Sequence, residues 1–163
     1  MRHAGFTIVE LIVAITIMGI LFTIGTISFT NSQIDSRDGE RQADTENLAR
    51  HLESYYTNNL GRYPVTTVMG TESTIASTLP GIATTTQRAP GAATGTSIVV
   101  ATNAVQTAAG VLPQPTISQY VYQPIATDNT LCTTAGSQEC RSYTLYYREE
   151  RTNTVVMVKG LNR

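Results

Sequence analysis

The pattern of apolar and polar positions divides the 163-residue chain into an apolar beginning, a polar helical stretch and a β-rich end. Residues 11–34 contain no Asp, Glu, Lys or Arg, and residues 11–29 are mostly Leu, Ile, Val, Ala, Met and Phe. A run of this length can cross a hydrocarbon core of about 30 Å. Although many of its residues are β-branched, a single span in lipid must be helical to satisfy its own backbone. The pattern therefore predicts one transmembrane helix.

The following stretch, residues 35–60, has the spacing of a water-exposed amphipathic helix. Leu48, Leu52, Tyr55 and Tyr56 form one apolar stripe, and the charged residues around them are predicted to form a solvated face. No proline lies between positions 6 and 60, so both stretches can form one helix of about 80 Å. Gly61, followed by a Tyr-Pro pair at 63–64, predicts where this helix ends.

The pattern of the last part of the chain predicts β-strands. Residues 119–125, 142–148 and 154–159 are rich in β-branched and aromatic residues, which predicts a three-stranded antiparallel sheet packed on the outer half of the helix. The fold class is therefore α+β. Residues 65–118 carry Glu72 and Arg88 as their charges and are rich in Thr, Ala and Gly. They predict a short helix, a strand over 97–101 and an exposed loop over 84–95, and their threonines leave O-glycosylation open.

The head of the apolar segment carries a single carboxylate, Glu10. Arg2 precedes the span and Asp35, Arg37 and Asp38 follow it, so the positive-inside signal places the N-terminus in the cytoplasm. A secretory signal peptide is the rival interpretation, but the apolar run is too long for one and lacks a small-residue cleavage pattern. A carboxylate in such a segment is costly, which indicates that Glu10 has a function.

The residues Gly-Phe-Thr-Ile-Val-Glu-Leu at 5–11, followed by the apolar run, resemble the N-terminal signature of type IV pilins and the related type II secretion and competence pseudopilins. The end of the helix at 55–64 resembles that family more weakly. The resemblance implies a leader over 1–5, cleavage between Gly5 and Phe6, and methylation of the new amino terminus. It also implies a filament-core helix over 6–34, an amphipathic half over 35–61, a variable segment over 62–118 and a sheet over 119–163.

For assembly, the resemblance implies that Glu10 neutralises the amine of Phe6 on a neighbouring copy, whereas the alternative is that Glu10 reaches the membrane interface. Gly19 and Gly25 would weaken the helix locally. The implied partners are copies of the chain, a prepilin peptidase and methylase, and an inner-membrane assembly platform with its ATPase. The chain would begin as a single-pass protein of the inner membrane and end in an extracellular pilus filament. The alternative is a pseudopilin of a type II secretion or competence system.

A set of small or hydroxylated residues falls on one face of the apolar helix at steps of three or four. Such a face allows close approach of helices in a membrane. Alternatively, the threonine hydroxyls bond the preceding turn of their own helix. The set comprises Thr16, Gly19, Thr23, Thr26 and Thr30.

Other chemistry has few candidates. Cys132 and Cys140 bracket a polar loop outside the cytoplasm and can form a disulfide, and no nearby His supports zinc. Asp128 is the one Asp near the C-terminus, too few ligands for calcium, and no nucleophile motif accompanies His51, so we expect no metal, cofactor or enzyme activity. A net charge of −1 suggests no polyanion partner. DNA contact remains an alternative, through basic residues interleaved with tyrosines: Arg141, Arg148, Arg151, Lys159 and Arg163 with Tyr143, Tyr146 and Tyr147.

Overall fold

The computed structural model describes residues 7–136 and 138–162, except for the side chain of Ile27. They form two compact units that divide between Ser36 and Arg37, here called the N-terminal and the C-terminal unit. The elements in chain order are α1 (Ile8–Asn58), a 3-10 turn (Thr66–Val68), α2 (Glu72–Thr78), β1 (Ile98–Val100), β2 (Tyr120–Ala126), β3 (Cys140–Arg148) and β4 (Val155–Lys159).

The N-terminal unit consists of the first part of α1, which runs unbroken through Gly19 and Gly25. Most of its described large hydrophobic side chains are exposed to the surroundings; Phe22, for example, is 73% exposed. In the part of the chain that the structure describes, one helix is long and apolar enough to cross a membrane, and its apolar window has no buried residue. The length and composition therefore agree with the predicted span.

The C-terminal unit is an α+β unit in which the rest of α1 packs on a four-stranded sheet of order β1-β2-β3-β4. β2–β3 and β3–β4 pair antiparallel, with Tyr122 opposite Leu145 and Tyr146 opposite Met157. The predicted sheet was purely antiparallel; it is mixed, because β1 pairs parallel to β2. This pairing requires the chain to cross back over residues 101–119 before it re-enters the sheet, which a pattern of strands does not reveal.

The core lies between α1 and the inner face of this sheet. Leu48 and Leu52 of the predicted stripe are fully buried, together with Tyr122 and Leu145 of the sheet. A smaller cluster on the other face contains Val121 and Tyr146 with two residues of the connecting segment, Ala101 and Val111. The core is therefore confined to the C-terminal unit among the described residues.

The predicted loop over 84–95 lacks regular structure, but the prediction that it is exposed was wrong in part. Thr86, Gln87 and Ala89 are buried. The Thr86 hydroxyl accepts a hydrogen bond from the Asn47 amide of α1 (3.0 Å), and the Gln87 carbonyl accepts one from Ser97 N–H (2.7 Å). The short helix predicted within residues 65–118 is α2, and the strand predicted over 97–101 is β1.

Candidate assembly site on the N-terminal helix

Thr7 and Glu10 cap the N-terminal end of α1. The Glu10 carboxylate accepts hydrogen bonds from Thr7 N–H (3.1 Å) and the Thr7 hydroxyl (2.9 Å), and Glu10 N–H donates to the Thr7 hydroxyl oxygen (3.3 Å). This reciprocal arrangement is a capping box, which satisfies two backbone donors at a helix N-terminus. The Thr-x-x-Glu spacing at 7–10 is the signal in the sequence that could have predicted this capping box.

The carboxylate of Glu10 therefore has a partner within its own chain before any assembly. Gly5 and Phe6, the predicted cleavage site, lie outside the described residues, as does the leader over 1–5. The predicted pairing between Glu10 and a neighbouring Phe6 amine stays a prediction. A carboxylate has about four acceptor positions, so the bonds from Thr7 leave room for a further donor.

The threonine hydroxyls on the apolar helix are satisfied by their own helix. Thr16 donates to the Val13 carbonyl at 2.8 Å, and Thr23, Thr26 and Thr30 make the equivalent bonds. This is the second of the two interpretations of that face. These side chains therefore present methyl groups rather than free hydroxyls to whatever packs on the helix.

The charged face predicted for residues 35–60 is not uniformly solvated. Arg41 is 1% exposed, donates from Nε to the Ile117 carbonyl (2.8 Å), and forms ion pairs with Asp38 (2.7 Å) and Glu150 (3.1 Å). Arg37 adds a second ion pair to Glu150 at 2.6 Å. One signal was available: Arg41 lies seven residues before Leu48, on the same stripe of the helix.

The pKa of each carboxylate in this cluster follows from its contacts. Hydrogen bonds from Arg37, assisted by Arg41 and opposed by burial, lower the pKa of Glu150 to about 2. Burial acts to raise the pKa of Asp38, but the N–H groups of Glu150 and Arg151 and the Arg41 guanidinium outweigh it, so the pKa is lowered. Both groups are ionised at neutral pH and tie the β3–β4 connection to α1.

Glu53 was also predicted to be solvated, but it is a second attachment point. Its carboxylate accepts hydrogen bonds from the hydroxyls of Tyr63 (2.8 Å) and Tyr143 (3.2 Å) and from Leu161 N–H (3.1 Å). The Asn162 amide donates to it at 3.0 Å. This side chain therefore joins α1 to the segment after the helix, to β3 and to the residues after β4.

Cys132 and Cys140 form a disulfide, with an S–S distance of 1.96 Å. Each cysteine also accepts a backbone bond from the segment that follows α1: Tyr63 N–H donates to the Cys140 carbonyl (2.8 Å) and Thr66 N–H to the Cys132 carbonyl (3.0 Å). The disulfide therefore links two positions that are both hydrogen-bonded to the segment following α1.

The tyrosines of the proposed DNA surface are not available for stacking. Tyr143, Tyr146 and Tyr147 are buried in the sheet, and the Tyr146 hydroxyl donates to Gln123 at 2.7 Å. Arg141 is bonded to Glu139 and to the Gly61 carbonyl, and Arg148 to the Pro115 carbonyl. Bases could not stack on these rings without opening the core. Within residues 7–136 and 138–162, no group of three or more metal-ligating side chains is found.

The described residues thus combine an apolar helix that is long enough to cross a membrane, with Glu10 in its first turn, and an α+β unit. Residues 1–26 match the family model of the prokaryotic N-terminal methylation motif, which is the prepilin signature. The motif supports a type IV pilin-like or pseudopilin protein and implies a structural subunit that is anchored in the membrane before assembly. No curated protein and no solved structure gives a significant match to the chain.

Proposed function

We propose that this chain is a structural subunit of a type IV pilus filament, cut between Gly5 and Phe6 and polymerised through its N-terminal helix. The observation that carries the proposal is Glu10, the lone carboxylate at the head of an exposed apolar helix whose sequence matches the methylation motif. A free amine at Phe6 would be a cation in the same apolar surroundings. In a bundle of such helices, the Glu10 carboxylate of one copy can neutralise the Phe6 amine of the next copy. Removal of either partner would leave the other as an unpaired buried charge.

The decisive experiment compares Glu10→Ala with the wild type as the sole subunit in cells. Glu10→Ala should insert and be cleaved, but its sheared surface filament should fall at least about tenfold, because an uncompensated buried charge costs several kcal/mol. Glu10→Gln should be nearly as poor, because an amide accepts a hydrogen bond but does not neutralise an amine. Wild-type yield from Glu10→Ala would refute the assembly role.

Glu40→Ala is the matched control for this experiment. Glu40 lies on the same helix and is exposed in the C-terminal unit, so the substitution removes a carboxylate without touching the apolar segment. Its filament yield should equal that of the wild type. Electron microscopy of cells with and without the protein distinguishes the two roles: surface filaments that are lost with the protein support a pilus subunit.

Processing is tested separately. Mass spectrometry of protein from the native host should find a methylated Phe6 as the N-terminus, because the Gly-Phe junction ahead of a long span is the predicted cleavage site. Gly5→Val should block cleavage and leave full-length protein in the membrane. An intact Met1 on filament-borne protein would contradict the proposed processing.

A further inference from the structure

Leu60 occupies a backbone conformation that disfavours it. Its φ is 56°, directly after the end of α1, and the next residue, Gly61, donates its N–H to the Tyr56 carbonyl (3.0 Å). This is the geometry of a helix C-cap whose left-handed position is usually glycine, because a Cβ is strained there. The Leu60 side chain is also 86% exposed, so no burial within the C-terminal unit offsets the strain.

Leu60 lines a shallow cleft of about 400 Å³ together with Tyr55, Asn58 and Val68. Single exposed leucines are common on protein surfaces and by themselves indicate nothing. A leucine that is both exposed and held at a positive φ is different, because strained positions persist where function retains them. We call Leu60 the knob.

A second cleft of about 390 Å³ lies between α1 and β4, and we call it the β4 groove. Its apolar surface comes from Ala49, Tyr143 and Val158, and Leu161 stands at its rim with 85% of its surface exposed. Leu60 and Leu161 are the two most exposed large hydrophobic side chains described in the C-terminal unit. The remaining lining residues are Glu46, Arg50, Glu53 and Lys159.

The knob and the groove face opposite directions. Helix positions 46, 49, 50 and 53 line the groove and positions 55 and 58 line the cleft of the knob. At 3.6 residues per turn, these two sets lie on opposite sides of α1, and the knob lies about 15 Å further along the helix axis than the middle of the groove. A knob and a groove on opposite sides cannot meet within one chain or pair reciprocally in a two-fold dimer.

We propose that the Leu60 knob of one copy inserts into the β4 groove of the next copy in the filament. The contact is heterologous, so each copy leaves one knob and one groove free, and repetition builds an open helical assembly. The contact would displace neighbouring copies by about 15 Å along their helices. This inference rests on the proposed function, since it requires copies of the chain to lie side by side.

Crosslinking tests the contact directly. Intact cells carrying the double variant Leu60→Cys and Leu161→Cys are treated with a short bismaleimide, which does not react with the Cys132–Cys140 disulfide. A ladder of dimers, trimers and higher species is expected. The control pairs Leu60→Cys with Thr94→Cys, an exposed position outside the groove, and should give no ladder. Equal crosslinking by Leu60→Cys alone would show that two knobs meet each other and would overturn the proposal.

Leu60→Gly separates assembly from folding. Glycine removes the strain, so the thermal midpoint of the full chain in detergent should be unchanged or higher. The yield of sheared filament should nevertheless fall at least severalfold, because the side chain that fills the groove is gone. Leu60→Met keeps an apolar side chain of similar size and should retain most of the yield.

The outcomes distinguish this inference from the proposed function. If the wild type forms filaments, Glu10→Ala does not, and Leu60→Gly assembles like the wild type without a crosslinked ladder in the cysteine pair, the knob and groove contact is wrong and the pilin role stands. If Glu10→Ala also assembles normally, or if the wild type forms no filament, the proposed function is wrong and this contact is overturned with it.

Discussion

Asp44 and Glu150 both lie where α1 meets the rest of the C-terminal unit, yet folding shifts their pKa values in opposite directions. Burial raises the pKa of Asp44 to about 6, although the Tyr120 hydroxyl donates a hydrogen bond to it at 2.9 Å. Glu150, held by two guanidinium groups, has a pKa of about 2. At Glu150 the guanidinium groups outweigh the effect of burial on the pKa, whereas at Asp44 the single hydrogen bond from a neutral hydroxyl does not.

The two shifts have opposite effects on stability as pH changes. For Asp44, the folded state binds its proton more tightly than the unfolded state, so stability falls as pH rises from 3.8 to about 6. For Glu150, the folded pKa lies below the usual 4.5, so its contribution is present above that pH and is lost as pH falls toward about 2. Stability should therefore be greatest in mildly acidic solution.

Asp44→Asn is expected to stabilise the protein near pH 7. The substitution removes a carboxylate that is costly to ionise there, while its amide oxygen still accepts the Tyr120 hydrogen bond. After allowance for solvent screening, the gain should be about 1 to 2 kcal/mol at pH 7 and should vanish near pH 3. Thermal unfolding of the full chain in detergent at several pH values measures it. A gain that does not change with pH would show that burial of the charge is not its cause.

The pattern of the sequence was sufficient to predict the helix and strands whose apolar residues recur with a regular period. Strands predicted over 119–125, 142–148 and 154–159 are observed as Tyr120–Ala126, Cys140–Arg148 and Val155–Lys159. The strands were recognisable because β-branched and aromatic residues cluster in them. The helix α1 was recognisable because an apolar run and then a stripe of Leu and Tyr occupy it without a proline.

The segment before β2 could not be predicted in the same way, because its order comes from side-chain amides rather than from periodic hydrophobic residues. The Gln123 amide donates to the carbonyls of Asn103 (2.8 Å) and Val105 (3.2 Å). The Asn103 amide donates to the Gly110 carbonyl at 2.8 Å, and the Gln114 amide to the Val111 carbonyl at 2.8 Å. Such bonds depend on the path of the chain in space, which no spacing in the sequence encodes.

The features of the candidate site also divide into those that the sequence predicts and those that it does not. The apolar helix was predictable, and Glu10 lies in its first turn as expected from a lone carboxylate at the head of an uncharged run; the role of Glu10 in assembly stays a prediction. The pairing of Arg41 with Glu150 and the attachment role of Glu53 were missed, because the partners Glu150 and Asn162 lie about 110 residues away along the chain. Long-range ion pairs leave no local mark, and a charged helix residue is solvated far more often than it is buried.

The disulfide is expected to stabilise the fold of the C-terminal unit. Replacing both Cys132 and Cys140 with Ser should lower the free energy of unfolding by about 2 to 3 kcal/mol, the loss expected for a short closed loop in the chain-entropy model. Chemical unfolding of the full chain in detergent, with and without reductant, measures the loss. Reductant should destabilise the wild type and leave the double variant unchanged. Non-reducing peptide mapping that found both thiols free in exported protein would contradict the bridge.

For the whole molecule, the position of the core is decisive. Every buried hydrophobic residue found among the described residues lies at or after Leu48, and the first buried charged residue is Arg41, so the fold of the C-terminal unit is assembled from residues after Ser36. The described residues of the N-terminal unit have mostly exposed apolar side chains and form no core of their own. The fold of the C-terminal unit therefore does not depend on packing against them.

Removal of the apolar segment tests this division. A chain starting at Arg37 retains the ion pairs of Arg37, Arg41 and Glu150, the disulfide and both hydrophobic clusters. It should be exported with a cleavable signal as a soluble, folded monomer, because none of the described residues that it loses is buried, and it should not form filaments, because it lacks Glu10 and the apolar segment. Circular dichroism, a cooperative thermal transition and size-exclusion chromatography check the first expectation, and electron microscopy checks the second.

Within this shortened chain, Leu48→Ala serves as the control for a genuine core and should lower the free energy of unfolding by about 2 to 5 kcal/mol. A shortened chain that aggregates or lacks a cooperative transition would show that residues before Arg37 are needed for the fold.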